Sequence, residues 1–573
     1  MPTRRQFLAE SGTFLALAGL GIAPAIHLPG RKRYDILIRN GHVFDGLGHD
    51  ATQADVAIAG GRIAAIAPRL ADDTASDVID ARGLAVAPGF IDIHSHADGT
   101  MFEDPRVESV IREGVTTVIV GQDGSSRAPA RADRVSRKRG IAASMREMFR
   151  DIDALPSSVN VASMVGLGTV REVVIGDDDR PATPEELRTM IALVEAALDD
   201  GACGASTGLE YVPGEFAPVS ELIALSSPLA ARGLPYATHM RNEDDRLLKA
   251  IDEAITVASG ANCPLEISHI KTEGKRNWGK IDDVFARITH ARDQGLDVTF
   301  DRYPYTAYQT GLSNLFPDWS ENGGSAAFVK RLGDPSLEQK LRTAVMDKIT
   351  MLGGWDSVLI SSVSNGADHA AEGQRLGTYA KSLGKDPYDV AVGLLTRSHD
   401  NVGMVGFAMS EDNIARFLQS PLCTVCSDGS AVALSGPAHS GHPHPRSLGT
   451  FPRVLGRYVR EKHVLTLPQA IHKMTGATAA RVKLADRGRL APGLAADVVV
   501  FDPATVIDRA TYVKPFQYPE GITAVIVNGA VAVREGQRGS HRTGHTLRPD
   551  TAHATPSSGG AHRPQAGRAL GGA

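Results

Sequence analysis

The sequence predicts an α/β fold, a TIM-type (β/α)8 barrel joined to a small β-sandwich built from both chain ends. Three observations lead there. Between residues 88 and 484, eight short apolar runs each stop at polar or turn residues and alternate with helix-like stretches, which implies βα units around a parallel sheet. The segments before and after that region share another texture, short alternating strands broken by Gly and Asn. Several of the central runs end in His or Asp, side chains that a barrel gathers at one mouth although they lie far apart in sequence.

Taken in order, the chain opens with Thr3-Arg4-Arg5-Gln6-Phe7-Leu8, an apolar stretch from Gly12 to Ile26, and the small-x-small triplet Ala23-Pro24-Ala25. Paired arginines before Phe-Leu resemble a twin-arginine export signal. Residues 1–30 are therefore read as an export signal and the protein as periplasmic or extracellular. The apolar stretch is short and rich in Gly and Ala for a membrane span, so no stable insertion is expected after processing. Residues 31–87, with YDILIRNG and ADVAIAGGRIAAIA, and 485–548, with GRLAPGLAADVVVFDP and AVIVNGAVAVREG, are expected to pair into the sandwich. The barrel, residues 88–484, is inserted between them.

The runs themselves are GFIDIHSH, VTTVIVGQDG, VNVASMVGLG, GACGASTGLEY, LPYATHMR, CPLEISHIK, LDVTFDRYPY and PLCTVCSDG. On an extended strand residues two apart point to one side, so His94 and His96 leave the first run together. In isolation such a pair also occurs as two ordinary hydrogen-bonded histidines. His239, His269 and Asp428, each at the end of its own run, shift the balance toward a metal site, since neutral imidazole and carboxylate suit zinc and similar divalent ions. Between the seventh and eighth runs an insertion near 315–419, with helical segments and the run SVLISSVSN, is expected to sit at the barrel mouth as a lid or specificity unit. The tail 549–573, rich in Gly, Ala, Pro, Ser and His, reads as disordered.

Net charge is -5 and no long basic run appears, so nucleic acid is not an expected partner and small polar molecules are. Cys203, Cys263, Cys423 and Cys426 each lie in or beside apolar runs and read as buried thiols. His439, His442 and His444 fall in AHSGHPHPR, where Gly and Pro spacing favours a loop over a third metal site, with Arg446 reaching toward the pocket. Nothing in the sequence sets the oligomeric state.

The segments PGFIDIHSHAD, EGVTTVIVGQDG, GASTGLEYVPG, THMRNE, SHIKTEG, YPYTA, SDG and HPRSLGTFPRVLGRYVRE occur in this order between Tyr34 and Gly536. In them the chain resembles the amidohydrolase superfamily, and within it the N-acyl-D-amino-acid deacylase (D-aminoacylase) family. The resemblance implies one or two divalent ions, zinc in the first place. His94 and His96 would serve one position, His239 and His269 another, and Asp428 would touch metal and act as general base. It implies further that Lys271 pairs with a small-molecule substrate's carboxylate, that Tyr211 and Tyr303 line the same pocket, and that the reaction is hydrolysis of the amide bond of N-acyl-(D-)amino acids or related peptide-like carboxylates. Readings that keep the site and change the bond are a dipeptidase, a cyclic amide, imide or lactam hydrolase, and a deaminase. A reading of another class is an inactive exported binding scaffold.

Two departures bear on the site. The family carries an N-C-G triplet with a metal-binding thiolate after the second strand, where this chain has Gln122-Asp123-Gly124. Asp123 offers a harder oxygen donor there. The superfamily resemblance implies a bridging carboxylate or modified lysine on the fourth strand, a role that Glu210 in STGLEY would fill, with Asp123 as ligand beside it or in its stead. A third difference concerns substrate: Tyr308-Gln309-Thr310 follows YPYTA where the family continues Gly-Ser-Thr, so the substrate's carboxylate is held differently.

Overall fold

The computed structural model describes residues 33–71 and 75–551. The expected export signal and most of the tail, residues 552–573, lie outside the described residues. Both chain ends meet in one nine-stranded sheet. Tyr34–Val43 is its hinge: Thr52–Ala59 pairs with it antiparallel, and Ala75–Asp80 and Ala85–Pro88 pair with it parallel. Val498–Phe501 then docks antiparallel on Ala85–Pro88, and Ile522–Val527 continues outward from it. Alternation supplies the reason: Ile36, Ile38, Val56 and Ile58 from the first segment and Val498, Val500 and Ile526 from the last bury on one side in a shared apolar cluster.

The central region is built on parallel strands in chain order: β1 (Phe90–Asp92), β2 (Val115–Val120), β3 (Asn160–Ser163 resuming at Val165–Gly166), β4 (Ala205–Gly208), β5 (Tyr236–His239), β6 (Leu265–Ile267), β7 (Val298–Arg302) and β8 (Cys423–Val425). Sequential neighbours pair, in a three-stranded and a six-stranded parallel sheet that divide within β3. The strands are buried throughout, which accounts for apolar runs without alternation. Beyond β1 and β8, Ser95 and Gly429 form a parallel bridge, and the His96 N–H donates to the Gly429 carbonyl at 3.0 Å. Helices such as Pro184–Asp199, started by a capping box of Thr183 and Glu186, pack apolar faces against the strands.

Between β7 and β8 stands a separate antiparallel sheet of Ala307–Gly311, Val402–Phe407 and Val358–Val363. Its helices Glu338–Leu352 and Pro387–Arg397 contribute Leu341, Val345 and Leu394 to a second core. The unit starts at Ala307 rather than near 315, because Ala307–Gly311 pairs with a strand distant in sequence. At its other end, helix Glu411–Gln419 packs Ile414 and Phe417 into the main core instead. All four cysteines are free and buried. Burial pushes the Cys203, Cys263 and Cys423 thiols up to about 12. Among the described residues, no helix is long and apolar enough to cross a membrane.

Candidate metal centre and its cavity

Beyond β1 the chain bends, turning His94 and His96 inward with ring centroids 5.3 Å apart. Asp92 fastens this bend to the segment after β8, accepting hydrogen bonds from the Ser427 N–H at 2.8 Å and the Ser427 hydroxyl at 2.5 Å. Asp301, on β7, does the same for the β6 end, accepting the His269 N–H at 2.6 Å. Three residues at the centre, Asp123, His269 and Asp428, have φ of +52°, +34° and +51°. Non-glycine residues enter that region only when their surroundings hold them there. Beside Asp123, Gly124 runs so close to β4 that an added Cβ would lie 2.6 Å from the Gly208 nitrogen. This close approach puts the Asp123 carboxylate in the middle of the histidines.

Asp123 Oδ1 lies 3.3 Å from His94 Nε2, 3.4 Å from His269 Nε2 and 3.9 Å from His239 Nδ1. Its Oδ2 lies 3.3 Å from His96 Nε2. Asp428 Oδ1 is 3.2 Å from His96 Nε2 and 3.7 Å from His94 Nε2. Two donor sets result, His94, His96, Asp123 and Asp428 on one side and Asp123, His239 and His269 on the other. Asp123 belongs to both. The donor chemistry fits a divalent cation: both ring nitrogens of His94 are buried without a hydrogen bond, and burial holds that imidazole below its usual range against the pull of Asp123 and Asp428. Burial would raise the two carboxyls, yet His94 and His269 hold Asp123 well below the usual carboxylate range, and Arg446 followed by His269 holds Asp428 below it. Both are anions.

Glu210 stands elsewhere than expected for a bridge. Its Oε2 lies 3.2 Å from His239 Nε2, the ring nitrogen turned away from Asp123, and it groups with His239 and Glu243. Lys271 is likewise not a free ammonium. Only 2 % exposed, it places Nζ 2.5 Å from Glu243 Oε2 and 2.8 Å from His269 Nδ1. Glu243 Oε1 in turn lies 3.3 Å from His269 Nδ1. Sequence reasoning missed Glu243; the signal available was an acid four residues past His239 in THMRNE.

Arg446 reaches the pocket as expected, pairing with Asp428 Oδ2 at 2.6 Å and lying 4.9 Å from the Tyr303 ring centroid. The Tyr303 hydroxyl is buried without a hydrogen bond. Tyr211 stacks at an angle on His239, centroids 4.8 Å apart, and its hydroxyl is 3.3 Å from Thr310 Oγ1. These groups line one cavity of about 420 Å³, whose outer wall includes Tyr308, Gln309 and Thr310. His439, His442 and His444 are spent on the backbone carbonyls of Ala433, Tyr512 and Ala307, as befits a loop.

Residues 77–309 and 421–533 match the sequence profile of the Amidohydrolase family. The chain belongs to the amidohydrolase family. This amidohydrolase, an enzyme of carbon–nitrogen bonds, is 37% identical over 531 residues to an N-acyl-D-glutamate deacylase of Alcaligenes xylosoxydans xylosoxydans, covering 91% of this chain and 98% of the relative. Among solved structures it resembles an N-acyl-D-glutamate deacylase from Bordetella bronchiseptica complexed with zinc and a phosphonate mimic of the tetrahedral intermediate, with 35% identity, TM-score 0.77, and coverage of 90% of this chain and 100% of that one. It also resembles a D-aminoacylase described as having a binuclear metal centre, with 34% identity, TM-score 0.76 and the same coverage.

Proposed function

We propose that this amidohydrolase hydrolyses the amide bond of N-acyl-D-amino acids, using one or two zinc ions held by His94, His96, Asp123, His239, His269 and Asp428. The observation that carries the reading is Asp123, which faces imidazoles of both donor sets from its two oxygens. This favours Asp123 over Glu210 as the carboxylate that the two donor sets would share. Glu210 and Glu243 then orient His239 and His269 from behind, as carboxylates commonly do for metal-bound imidazoles. A divalent ion held by these residues would lower the pKa of water toward about 7 and polarise the scissile carbonyl.

The remaining chemistry belongs to the chain. Asp428, anchored through Oδ2 by Arg446, accepts the proton of the attacking water at Oδ1 and delivers it to the leaving amine nitrogen. The Tyr211 hydroxyl, beside His239, donates to the carbonyl oxygen as negative charge develops there. The substrate carboxylate is received by Tyr303, Arg446 and the remaining N–H of the Lys271 ammonium. The hydrogen bonds between the segments after β1 and β8 support a closed (β/α)8 barrel, with the 307–409 unit over its mouth.

The test is metal content by mass spectrometry joined to a screen of N-acetyl-D- and N-acetyl-L-amino acids. Release of acetate and free amine from D-substrates, lost on chelation and restored by zinc, is the expected result. Ammonia release, or activity indifferent to chelation, would exclude the reading. Export by the twin-arginine route is proposed on Arg4 and Arg5, and replacing both with Lys should retain the protein in the cytoplasm on cell fractionation.

A further inference from the structure

A second cavity, of about 620 Å³, opens beside the catalytic one, and Glu210 and Asn314 line both. Its walls carry Glu215, Asp244 and Glu321. Every cation on those walls is already engaged: Arg241 with Glu253 at 2.9 Å, Arg246 with Asp318 at 3.5 Å, Arg276 with Asp245, and Lys348 with Asp244 at 2.9 Å and Glu273 at 3.4 Å. Glu215 and Glu321 form no salt bridge among the described residues. Burial, then neighbouring carboxylates, push Glu215 up to about 8 and Glu321 up to about 7.

An independent feature stands at the entrance. Tyr308, where the resemblance leads one to expect Gly, is 6 % exposed and lines the catalytic cavity together with Glu273 and Glu210. Its ring lies across Gly406, its antiparallel partner, so closely that a Cβ there would sit 2.7 Å from the hydroxyl oxygen. That hydroxyl faces the Glu273 carboxyl within the catalytic cavity, whereas on the second cavity's own wall Glu215 Oε1 is buried without a hydrogen bond. A buried polar atom without a partner, facing a cavity, is a position a ligand can satisfy.

We infer that this lobe receives the substrate's side chain and selects amine- or guanidine-bearing side chains, so that N-acyl derivatives of cationic amino acids are the preferred substrates. The inference rests on the deacylase reading above and separates this chain from relatives named for glutamate. A carboxylate entering the lobe meets Glu210, Glu215 and Glu321 with no uncommitted cation to receive it, and loses its hydration as well. A cation draws Glu215 and Glu321 into the ionised form that burial and their acidic neighbours oppose, and brings donors for their oxygens. The long apolar stem of lysine or arginine carries the charge past Glu210 while the α-carboxylate stays at Tyr303 and Arg446.

The experiment compares kcat/KM of the zinc-loaded full chain on N-acetyl-D-lysine, N-acetyl-D-arginine, N-acetyl-D-leucine and N-acetyl-D-glutamate, with a Glu215→Gln/Glu321→Gln variant alongside. The cationic substrates are expected to lead both others by about tenfold or more. The variant should lose that lead through KM, its kcat/KM on the lysine and arginine substrates falling several-fold more than on the leucine substrate. Equal or better turnover of leucine or glutamate by the parent enzyme overturns the inference and leaves the deacylase reading standing. So does a variant that weakens lysine and leucine alike. No turnover of any of the four removes both. The parent's ranking decides the matter even if the variant fails to fold.

Discussion

Arg446 and Asp428 form a buried ion pair in which Arg446 Nη1 holds Asp428 Oδ2 at 2.6 Å, leaving Oδ1 3.2 Å from His96 Nε2. One oxygen is committed to a cation and the other faces the donor cluster. A carboxylate fixed in this way is an anion whose free oxygen can take a proton without the group swinging away. Asp428→Asn keeps the shape and removes the basicity, so kcat is expected to fall by about 10² to 10⁴, the usual share of general acid–base catalysis, with bound metal largely retained. Steady-state kinetics with metal analysis check it. A variant keeping a tenth of parental kcat would remove Asp428 from proton transfer.

Lys271 and Glu243 are 2 % and 3 % exposed, so each charge depends on the other. Burial opposes the Glu243 anion, yet Lys271, then His239 and His269, hold its carboxyl below the usual range. Glu243→Gln strands a buried ammonium and is expected to destabilise by about 3 to 5 kcal/mol. Lys271→Met alone strands the carboxylate, and the double variant should recover a large part of the loss. Urea unfolding of the four proteins measures the coupling. Additive losses would mean that the two groups do not support each other.

His94, His96, His239, His269 and Asp428 were legible because strand geometry alone brings the ends of sequential parallel strands to one rim, so residue type at a run's end carries the information. Asp123 was legible from the QDG triplet, but its central place was not, since that depends on the close passage of Gly124 beside β4. Asp92, Asp301 and Glu243 escaped notice because their partners, Ser427, His269 and Lys271, are distant in sequence and only the packing of the strand ends brings them together. The same lack of tertiary knowledge made Lys271 look like a free cation. The start of the inserted unit was set too late because Ala307–Gly311 finds its partner strand, Val402–Phe407, only after most of the insertion.

Asp123 stands in the triplet where the family resemblance leads one to expect a thiolate. An oxygen donor shifts preference away from soft ions, so the parent protein should bind manganese against zinc more readily than Asp123→Cys does. Asp123→Ala, which removes the group shared by both donor sets, should lose most bound metal and activity. Dialysis against equal zinc and manganese, followed by elemental analysis, tests both. Unchanged metal content in Asp123→Ala would take Asp123 out of the centre.

Glu113 provides a pH test away from the reaction. It is 2 % exposed, its Oε2 accepts the Phe451 N–H at 3.2 Å, and it forms no salt bridge among the described residues. Burial, reinforced by Asp92 and Asp508 against the Phe451 bond, raises its carboxyl well above the usual value. The fold therefore favours the protonated form: the advantage is complete below the carboxyl's unfolded range near 4.5 and drains away as pH climbs toward the folded value. Glu113→Gln keeps the acceptor oxygen and carries no charge at any pH. From pH 6 upward the balance should move in the variant's favour by at most about 1.4 kcal/mol per pH unit until the folded value is passed. Melting curves of both proteins between pH 6 and pH 9 measure this, and curves that run parallel across that range would show that Glu113 is ionised in the fold throughout.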